Sequence, residues 1–525
     1  MGQEISQAYS PPPLTLRDCL VDGQIDLTRY RLYARRVYEN EYENSIISNS
    51  NKRKKYETES KARKVIRTVK RHHIQVPNKD GTLRNLTFKD STWYNLYINS
   101  PQDSNRKKKI FRRRFRLPYD EFLKMVDDLK QHEFFERWMK KDCIGNEPSD
   151  IRLLLLGTLR YLGRALTFDD IEEYSFISAE VHRNFFQSFL EYGNAVLYKK
   201  YVVDPATKED VSMFERVFAL AGFNGCIGST DGTHVGMLQC PSWASISHTG
   251  YKLAIPSRNY NATVTHSHQI LGTTCGHPGT WNDKTLIMYD ELIRGVKEGG
   301  LYSKNEFKLF ELDQDKNEVE VTYQGAWFIV DNGYLNWSCT VPPMKDPVSY
   351  QQIRFSEWLE SMRKDVECTF GSLKKRFAVL KYGLRSGSIE QCDKLWLTCC
   401  ALHNLLLFHD KLDKGWETGK KMCPFEESDD DYEIDEEYDN DMDDDKDDDE
   451  DNIEFALRRL NRLKSTQVPC NYTQYDKKYF NKYTVEGKRI VSKIPLKVFH
   501  ERLIHHFDIR FKKNDIEWPQ RSKSK

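Results

Sequence analysis

The chain has 525 residues, too many for one ordinary hydrophobic core, so we expect two or three domains. No stretch approaches the roughly 18 consecutive apolar residues of a membrane span, which argues against an integral membrane protein. The 12 cysteines form no CxxC pair and show no metal-ligand spacing, so we expect buried, reduced thiols.

The formal net charge of +1 conceals strongly charged blocks. Residues 51–120 hold 21 Lys/Arg and 6 Asp/Glu, and residues 452–525 hold 18 Lys/Arg and 7 Asp/Glu. Residues 426–451, which lie directly before the second basic block, hold 19 Asp/Glu and one lysine. Like charges repel and bury little apolar surface, so this acidic run is predicted to be disordered, either as a solvated linker or as a competitor for the basic surfaces. The basic blocks favour a nucleic-acid partner.

These composition shifts predict six regions along the chain. Helical periodicity near residues 497–507 adds a helix that either docks on the rest of the protein or binds nucleic acid. The regions are a disordered arm (1–50), a basic segment (51–117), a helical domain (118–205), an α/β domain (215–410), an acidic disordered linker (411–452) and a basic C-terminal segment (453–525).

The cluster RKKKIFRRRFR at 106–116 interleaves aromatic and basic residues. Phe111 and Phe115 are four residues apart and therefore share one helical stripe, with arginines around it. Such a helix is either an ordinary charged surface or a phosphate-binding surface. The candidate DNA contacts are Arg112, Arg113, Arg114 and Arg116.

The region that follows has the pattern of a helix-turn-helix. Thr167 and Asp170 stand at the positions of a capping box, and a tight turn at 175–177 precedes a second helix from Ser178. That helix offers His182, Arg183 and Gln187 to a DNA groove but also carries acidic residues. Direct DNA contact and a purely structural role both remain open.

From Phe223 onward, short apolar strands alternate with helices, which predicts an α/β sheet covered by helices. Residues 300–325 are polar and are expected to form an irregular insertion. The predicted strands are 226–231, 261–267, 269–275 and 327–331, and the predicted helices are 283–296, 350–377 and 390–409.

Two of the predicted strands end in an aspartate, Asp231 and Asp331. Ligand sites of α/β sheets lie at the carboxyl ends of strands, and several carboxylates at one edge are best neutralised by a divalent cation. Glu367 lies beside the buried stripe of the long helix and can reach the same edge. Two cations held there can activate a water or a 3′-hydroxyl and stabilise the leaving oxygen of a phosphodiester.

Five motifs, in this order, resemble the PIF/Harbinger transposases and their domesticated nuclease-like relatives. The resemblance extends over about 106–410 and is most specific over 215–410. The motifs are GSTDGTH (228–234), GHPGTWND (276–283), VDNGY (330–334), VECTFGSLKKRF (366–377) and LHN (402–404).

The resemblance implies an RNase H-like fold of the DDE type, preceded by the helix-turn-helix-like domain. It implies that Asp231, Asp331 and Glu367 form the catalytic triad and that Asp283 is an additional acidic metal ligand. Asn332 and Cys368 depart from the commoner family residues, but neither departure removes a carboxylate.

Several basic residues near these motifs have open roles. His234 follows Asp231 by three residues and is a candidate for positioning the substrate, whereas His266 and His268 are expected to be surface or core histidines. The basic residues after Glu367 are either phosphate contacts or solvated charges. They are Lys374, Lys375 and Arg376.

We therefore expect a nuclear DNA endonuclease or transposase that uses Mg²⁺ or Mn²⁺, binds DNA and works with a Myb-like DNA-binding partner or as a homo-oligomer. The alternative is a domesticated, non-cleaving DNA- or chromatin-binding protein that retains the fold. A four-acid exonuclease is disfavoured, because that chemistry wants Asp-x-Glu where this chain has Asp231-Gly232-Thr233.

Overall fold

The computed structural model describes residues 82–421 and 484–522, apart from gaps at 101, 142–144, 146, 204–207, 301, 314, 316, 417 and 486, together with strand residues 20–21, 24–25 and 75–77. The predicted arm 1–50, except for four strand residues, and the acidic run 426–451 lie outside the described residues. The chain divides into two compact units, Met1–Leu86 and Thr87–Lys525. Apart from the strands at residues 20–85 given below, all that follows concerns the second unit.

Helices and strands alternate along the chain, as the sequence predicts for an α/β protein. No helix among the described residues is both long and apolar enough to cross a membrane. The strands are β1 (Leu20–Val21), β2 (Gln24–Ile25), β3 (Gln75–Pro77), β4 (Leu83–Asn85), β5 (Cys226–Gly236), β6 (Ser257–Val264), β7 (Ile270–Thr273), β8 (His277–Pro278), β9 (Glu306–Leu312), β10 (Glu318–Gln324), β11 (Trp327–Ile329), β12 (Thr340–Val341), β13 (Thr418–Lys421), β14 (Thr484–Val485), β15 (Lys488–Ile490) and β16 (Glu517–Gln520). The α-helices are α1 (Asn105–Phe115), α2 (Tyr119–Gln131), α3 (Ile151–Arg164), α4 (Phe168–Ser175), α5 (Ala179–Tyr192), α6 (Tyr198–Tyr201), α7 (Lys208–Leu220), α8 (Ser245–His248), α9 (Asp283–Ile287), α10 (Glu291–Lys297), α11 (Tyr350–Arg376), α12 (Ala378–Tyr382), α13 (Ile389–His409) and α14 (Leu496–Lys512).

The central sheet is mixed and has the strand order β12-β11-β5-β6-β7, with β8 also paired to β6. Strands β12, β11 and β5 run parallel, whereas β5, β6 and β7 are antiparallel neighbours. Strand β5 therefore has a parallel partner on one side and an antiparallel partner on the other. It is the longest of the described strands and carries the first motif.

The helical region packs on one face of this sheet through a continuous hydrophobic cluster. Phe111 and Phe115 of α1 are both buried in it, which confirms the predicted apolar stripe. The same cluster contains Tyr260 and Val264 of β6 and Trp396 of α13. The predicted helical and α/β domains thus share one core.

A tight turn joins helices α4 and α5, as the sequence predicts. The Thr167–Asp170 capping box is present, and Phe176 ends α4 in the left-handed region with φ 56°. His182, one of the residues that this helix could have offered to a DNA groove, is buried, with its Nε2 2.8 Å from the Ser175 Oγ. Burial lowers the pKa of His182 to about 4, so it is a neutral core residue.

Residues 300–325, expected to be irregular, contain the hairpin β9–β10. Its two strands are antiparallel, and β10 also pairs in parallel with β15 from the C-terminal segment. Phe307, Leu309 and Tyr323 point inward and are buried. The charged turn between the strands hid this alternation of apolar and polar residues in the sequence.

The C-terminal helix α14 docks on the α/β region, which resolves the alternative left open by its sequence. Phe507 of α14 is 1% exposed and stacks on Phe223, with ring centroids 5.6 Å apart. It also contacts Phe355 and Trp358 of α11 at 5.7 Å. Strand β16, after the helix, pairs with β13 and completes the attachment.

The substitution Phe507→Ala should lower the free energy of unfolding by about 3–5 kcal/mol, because it leaves a cavity among aromatic rings. Urea unfolding followed by circular dichroism measures the change. The matched control is Lys497→Ala on the exposed face of the same helix, which should change stability by less than about 0.5 kcal/mol. Equal stability of the two variants would show that α14 is not docked in solution.

Candidate functional site

Asp231 lies in the middle of β5, not at its end as the sequence predicted. The strand continues to Gly236 because β6 remains hydrogen-bonded alongside it, from Ser229 opposite Val264 onward. On the other side, β11 stops at Ile329, which pairs with Ser229. Asp231 therefore emerges just beyond the end of its parallel neighbour, at the edge where a ligand site is expected.

Asp331 follows the end of β11 and begins a tight turn. Its Oδ2 is 3.4 Å from the backbone nitrogen of Gly333, and its carbonyl accepts from the Tyr334 N–H at 3.2 Å. The turn holds Asp331 beside β5, since β11 and β5 are direct neighbours in the sheet.

Asp283 is the first residue of the short helix α9. The Asn282 side chain caps this helix by accepting from the Thr285 N–H at 3.0 Å. The single helix predicted over 283–296 is wrong: Asp290 separates α9 from α10 and caps α10 through the Ile293 N–H. The cap at Asn282 orients Asp283 toward the sheet edge.

Two glycines show that the Asp283 carboxylate lies between β5 and the turn after β11. A Cβ atom on Gly333 would lie 2.9 Å from Asp283 Oδ2 and 3.4 Å from Asp331 Oδ2. A Cβ atom on Gly232 would lie 3.4 Å from Asp283 Oδ1. That Oδ1 is buried, and no donor among the described residues hydrogen-bonds to it.

Helix α11 supplies Glu367 and an arginine that the sequence analysis did not single out, Arg363. Arg363 Nη1 is 2.7 Å from Glu367 Oε1 and 3.3 Å from Asp231 Oδ2. The Ser229 hydroxyl donates to the Met362 carbonyl at 3.3 Å and so joins α11 to β5. The i, i+4 spacing of Arg363 and Glu367 was the signal that could have revealed this pair.

We call Asp231, Asp283, Asp331 and Glu367 the acidic cluster. The pKa of Asp231 is raised to about 6, chiefly by burial; the charges of Asp283 and Glu367 also raise it, whereas the Gly232 N–H and Arg363 lower it. Burial also acts to lower the pKa of Arg363, but Glu367 and Asp231 outweigh it and raise that pKa. The cluster is thus a site of concentrated negative charge.

The donor atoms of the acidic cluster fit a hard divalent cation, because all of them are carboxylate oxygens and Asp283 Oδ1 is unsatisfied. Across the described residues, however, no group of three or more His, Cys, Asp or Glu is arranged to hold a metal ion. Asp283 and Asp331 adjoin Gly333, whereas Asp231 and Glu367 are paired with Arg363. The guanidinium supplies the positive charge in this arrangement.

His234 and Lys374 lie beside the acidic cluster on β5 and α11. The His234 Nδ1 is 3.1 Å from the Ser257 Oγ, and burial, with Lys252 and Lys374 nearby, lowers its pKa to about 4. Lys374 Nζ donates to Thr233 Oγ1 at 2.8 Å and to the His234 carbonyl at 3.1 Å. Lys374 thus ties α11 to β5 next to the cluster.

The other two basic residues after Glu367 differ from each other. Lys375 is exposed, whereas Arg376 Nη1 is 3.0 Å from the Nδ1 of buried His403. His266 is also buried, with Nδ1 2.8 Å from Asp365 Oδ2, and His268 Nδ1 is 2.9 Å from Thr369 Oγ1. These two histidines pack against α11 rather than facing the acidic cluster.

The predicted arginine contacts to DNA lie in the helical region. Arg112 pairs with Asp410, with Nη1 2.9 Å from Oδ1, and Arg116 has a left-handed backbone at the end of α1. Arg113 and Arg114 are exposed. Arg183 is exposed and forms an ion pair with Glu180. Their role in binding DNA stays a prediction.

The substitution Asp231→Asn should stabilise the protein at pH 8 by about 1–3 kcal/mol, measured by urea unfolding with EDTA present. The pKa of Asp231 is about 6 in the folded protein against an ordinary 3.8, so the folded state binds the proton more tightly. Wild-type stability therefore rises as pH falls from above 6 toward 3.8, and the advantage of the variant disappears near pH 4.

The exposed acid Asp346 provides the control, since Asp346→Asn should show no such pH-dependent difference. Lower stability of Asp231→Asn at pH 8 would mean that the ion pair with Arg363 outweighs the cost of burial.

Comparison with known proteins supports the family resemblance. The pattern of the plant transposon protein family matches residues 199–413. The chain is 23% identical over 200 residues to "Putative nuclease HARBI1" of Mus musculus, which covers 38% of this chain and 50% of that protein. The proteins of the same name from Xenopus laevis and Homo sapiens are 26% identical over 216 residues and 21% over 208, covering 41% and 39% of this chain and 55% and 53% of theirs.

The chain spans about half the length of the curated relatives it matches, and no solved structure matches it. The matched region 199–413 contains every member of the acidic cluster and both β5 and α11. The resemblance carried by the five motifs is therefore confirmed: the comparisons support similarity to a Harbinger-type family of transposase-derived nucleases.

Proposed function

We propose that the protein is a metal-dependent DNA endonuclease or transposase whose catalytic residues are Asp231, Asp331 and Glu367. The observation that carries this proposal is the meeting of carboxylates from β5, the turn after β11, and α9, next to Glu367 of α11. Gathering acids in a partly buried place raises the pKa of Asp231, a cost typical of functional sites.

We further propose that the region 215–410 has an RNase H-like fold of the DDE type. One supporting feature is the mixed sheet, in which β5–β6, β6–β7 and β6–β8 pair antiparallel and β5–β11 and β11–β12 pair parallel. The other is the long helix α11, which follows β12. Family motifs lie on the strand, turn and helix that carry the acids.

The cofactor in this proposal is Mg²⁺ or Mn²⁺, held by the acidic cluster. The metal would supply Lewis-acid stabilisation of the attacking and leaving oxygens during in-line displacement at phosphorus. Asp283 and Asp331 offer oxygens on one side of Gly333, and Glu367, with its side chain 49% exposed, reaches furthest toward solvent. Water would cut the phosphodiester, and the freed 3′-hydroxyl would then join target DNA.

The second candidate function is a non-cleaving DNA- or chromatin-binding protein that keeps the fold. Arg363 favours it, because the guanidinium already pairs with Asp231 and Glu367 without a metal ion. Metal binding must compete with this ion pair in the first proposal but is unnecessary in the second.

The proposal includes a nuclear location and a separate Myb-like partner, or a second copy of the chain, that selects the DNA site. Support comes from the weak reading surface of α5, where His182 is buried and Arg183 pairs with Glu180. Adding a candidate Myb-like protein should then sharpen site choice without changing the metal requirement.

The test of cleavage uses labelled plasmid and terminal-repeat DNA with Mg²⁺ or Mn²⁺. The variants Asp231→Ala, Asp331→Ala and Glu367→Gln should each lower the cleavage rate at least about a hundredfold, since each removes charge stabilisation of the transition state. Asp346→Asn, an exposed acid outside the cluster, should cleave like wild type.

Equal cleavage by all variants would reject these residues as catalytic. Metal-independent DNA binding without any cleavage by wild type would favour the second candidate function. Isothermal titration with Mn²⁺ supplies a readout besides activity, because Asp283→Ala and Asp331→Ala should weaken metal binding.

A further inference from the structure

Five large apolar side chains are exposed between β5 and β6, and the three most exposed are Trp243, Ile246 and Tyr251. Trp243 is 63% exposed, Ile246 is 89% exposed and Tyr251 is 87% exposed. We call residues 241–252, which carry all three, the aromatic segment. Large apolar side chains that are exposed close together on a surface are typical of an interaction site.

Hydrogen bonds of buried residues anchor the aromatic segment to the protein. Its buried His248 has Nε2 3.1 Å from Arg258 Nη1, and Arg258 is itself held by Asp393, with Nη2 2.6 Å from Oδ2. The Ala244 carbonyl is 2.9 Å from His248 Nδ1. The exposed rings therefore project from a packed base, so little ordering would be needed when they bind a partner.

The aromatic segment also adjoins the acidic cluster. The Thr280 hydroxyl donates to the Ser247 carbonyl at 2.8 Å, and a Cβ atom on Gly250 would lie 2.3 Å from the Gly279 carbonyl oxygen. The loop contacted here leads directly into Asp283. At the end of the segment, Lys252 Nζ is 4.0 Å from Asp283 Oδ1.

We propose that the aromatic segment binds unpaired DNA bases next to the bond that is cut, with Trp243 and Tyr251 stacking on the bases and Lys252 contacting a phosphate. This inference rests on the proposed function, since it assigns the substrate region of the same site. Aromatic faces stack on any base, whereas the bases of an intact duplex are covered by their neighbours.

The charges around the segment match a nucleic acid. Lys252 Nζ is 4.0 Å from Asp283 Oδ1, and Lys374 Nζ donates to the His234 carbonyl at 3.1 Å, so two ammonium groups lie near the segment and the acidic cluster. Phosphates drawn toward these lysines would place adjoining bases against the rings. An apolar protein surface would offer no anionic groups to these lysines.

The experiment measures fluorescence anisotropy of a labelled mixed-sequence 20-nucleotide DNA, single-stranded and as a duplex, in EDTA to prevent cleavage. Replacing both rings, Trp243→Ala with Tyr251→Ala, should weaken single-strand binding about ten- to a hundredfold. Duplex affinity should change less than about threefold. The ring-retaining pair Trp243→Phe with Tyr251→Phe should stay within about threefold of wild type for both DNAs.

Tyr174→Ala removes an exposed aromatic ring outside the segment and should leave single-strand affinity unchanged. Thermal unfolding of the double alanine variant should match wild type, because both side chains are exposed. Unchanged single-strand binding, an equal loss for both DNAs, or an equal loss with Tyr174→Ala would overturn the inference. Conversion of a dimer to a monomer by the alanine pair would instead assign the segment to contact between copies.

The outcome is separable from that of the proposed function. Ring-dependent binding is measured in EDTA, where no cleavage can occur, so it does not depend on whether the acidic cluster is catalytic. Ring-dependent binding without cleavage in Mg²⁺ would retain this inference and reject the nuclease. If removal of the rings changes neither cleavage nor single-strand binding, the nuclease is retained and this inference is rejected.

Discussion

Mutual repulsion among carboxylates is the constraint on which the centre of this protein depends. Asp231, Asp283 and Glu367 are close enough for the charges of the other two to raise the pKa of Asp231. A cationic partner must offset that repulsion, and in this structure Arg363 does so for Asp231 and Glu367. Asp283 keeps a buried oxygen without a hydrogen bond. The Lys252 ammonium is 4.0 Å from that oxygen, so the charge of Asp283 is compensated less closely than that of the Arg363 pair.

The surrounding fold holds these acids in place despite their repulsion. Strand β5 pairs with β11 over Cys226–Ser229 and with β6 from Ser229 to Gly236, and α11 is joined to β5 through Ser229 and Lys374. The LHN motif joins α13 to β7 and the turn before it: Asn404 bonds both backbone groups of Ile270, and His403 Nε2 is 3.0 Å from the His268 carbonyl. Two family motif residues are thus explained by packing rather than chemistry.

The sequence predicted the elements with strong periodicity well and those with mixed signals poorly. The long helix expected over 350–377 spans Tyr350–Arg376, because a continuous apolar stripe and a capping box at Ser349 mark it clearly. The hairpin β9–β10 was missed because its charged turn and exposed edge diluted the alternation. The end of β5 was placed too early, since a glycine follows Asp231 and pairing with β6 is not visible locally.

The same distinction applies to the site. Carboxylates after apolar strands could be predicted to meet, because burial leaves few alternatives for them. Arg363 could not be assigned from the strand pattern, since its role depends on which side of α11 faces β5. The docking of α14 likewise depends on surface created by other elements, the rings of Phe223 and Phe355. Local sequence patterns do not predict long-range contacts of this kind.

Arg363 also links the two candidate functions physically. A guanidinium is always charged and cannot lose a proton to make room for a metal, so it must move or share the carboxylates when a cation arrives. DNA phosphates are alternative partners for the same guanidinium, and Glu367 is exposed enough to be released from it. Binding of DNA would then release the carboxylates from Arg363 and make them available to the metal, whereas without DNA they would stay paired with Arg363. A catalytic and a purely binding protein would differ in whether this exchange takes place, not in the architecture that surrounds it.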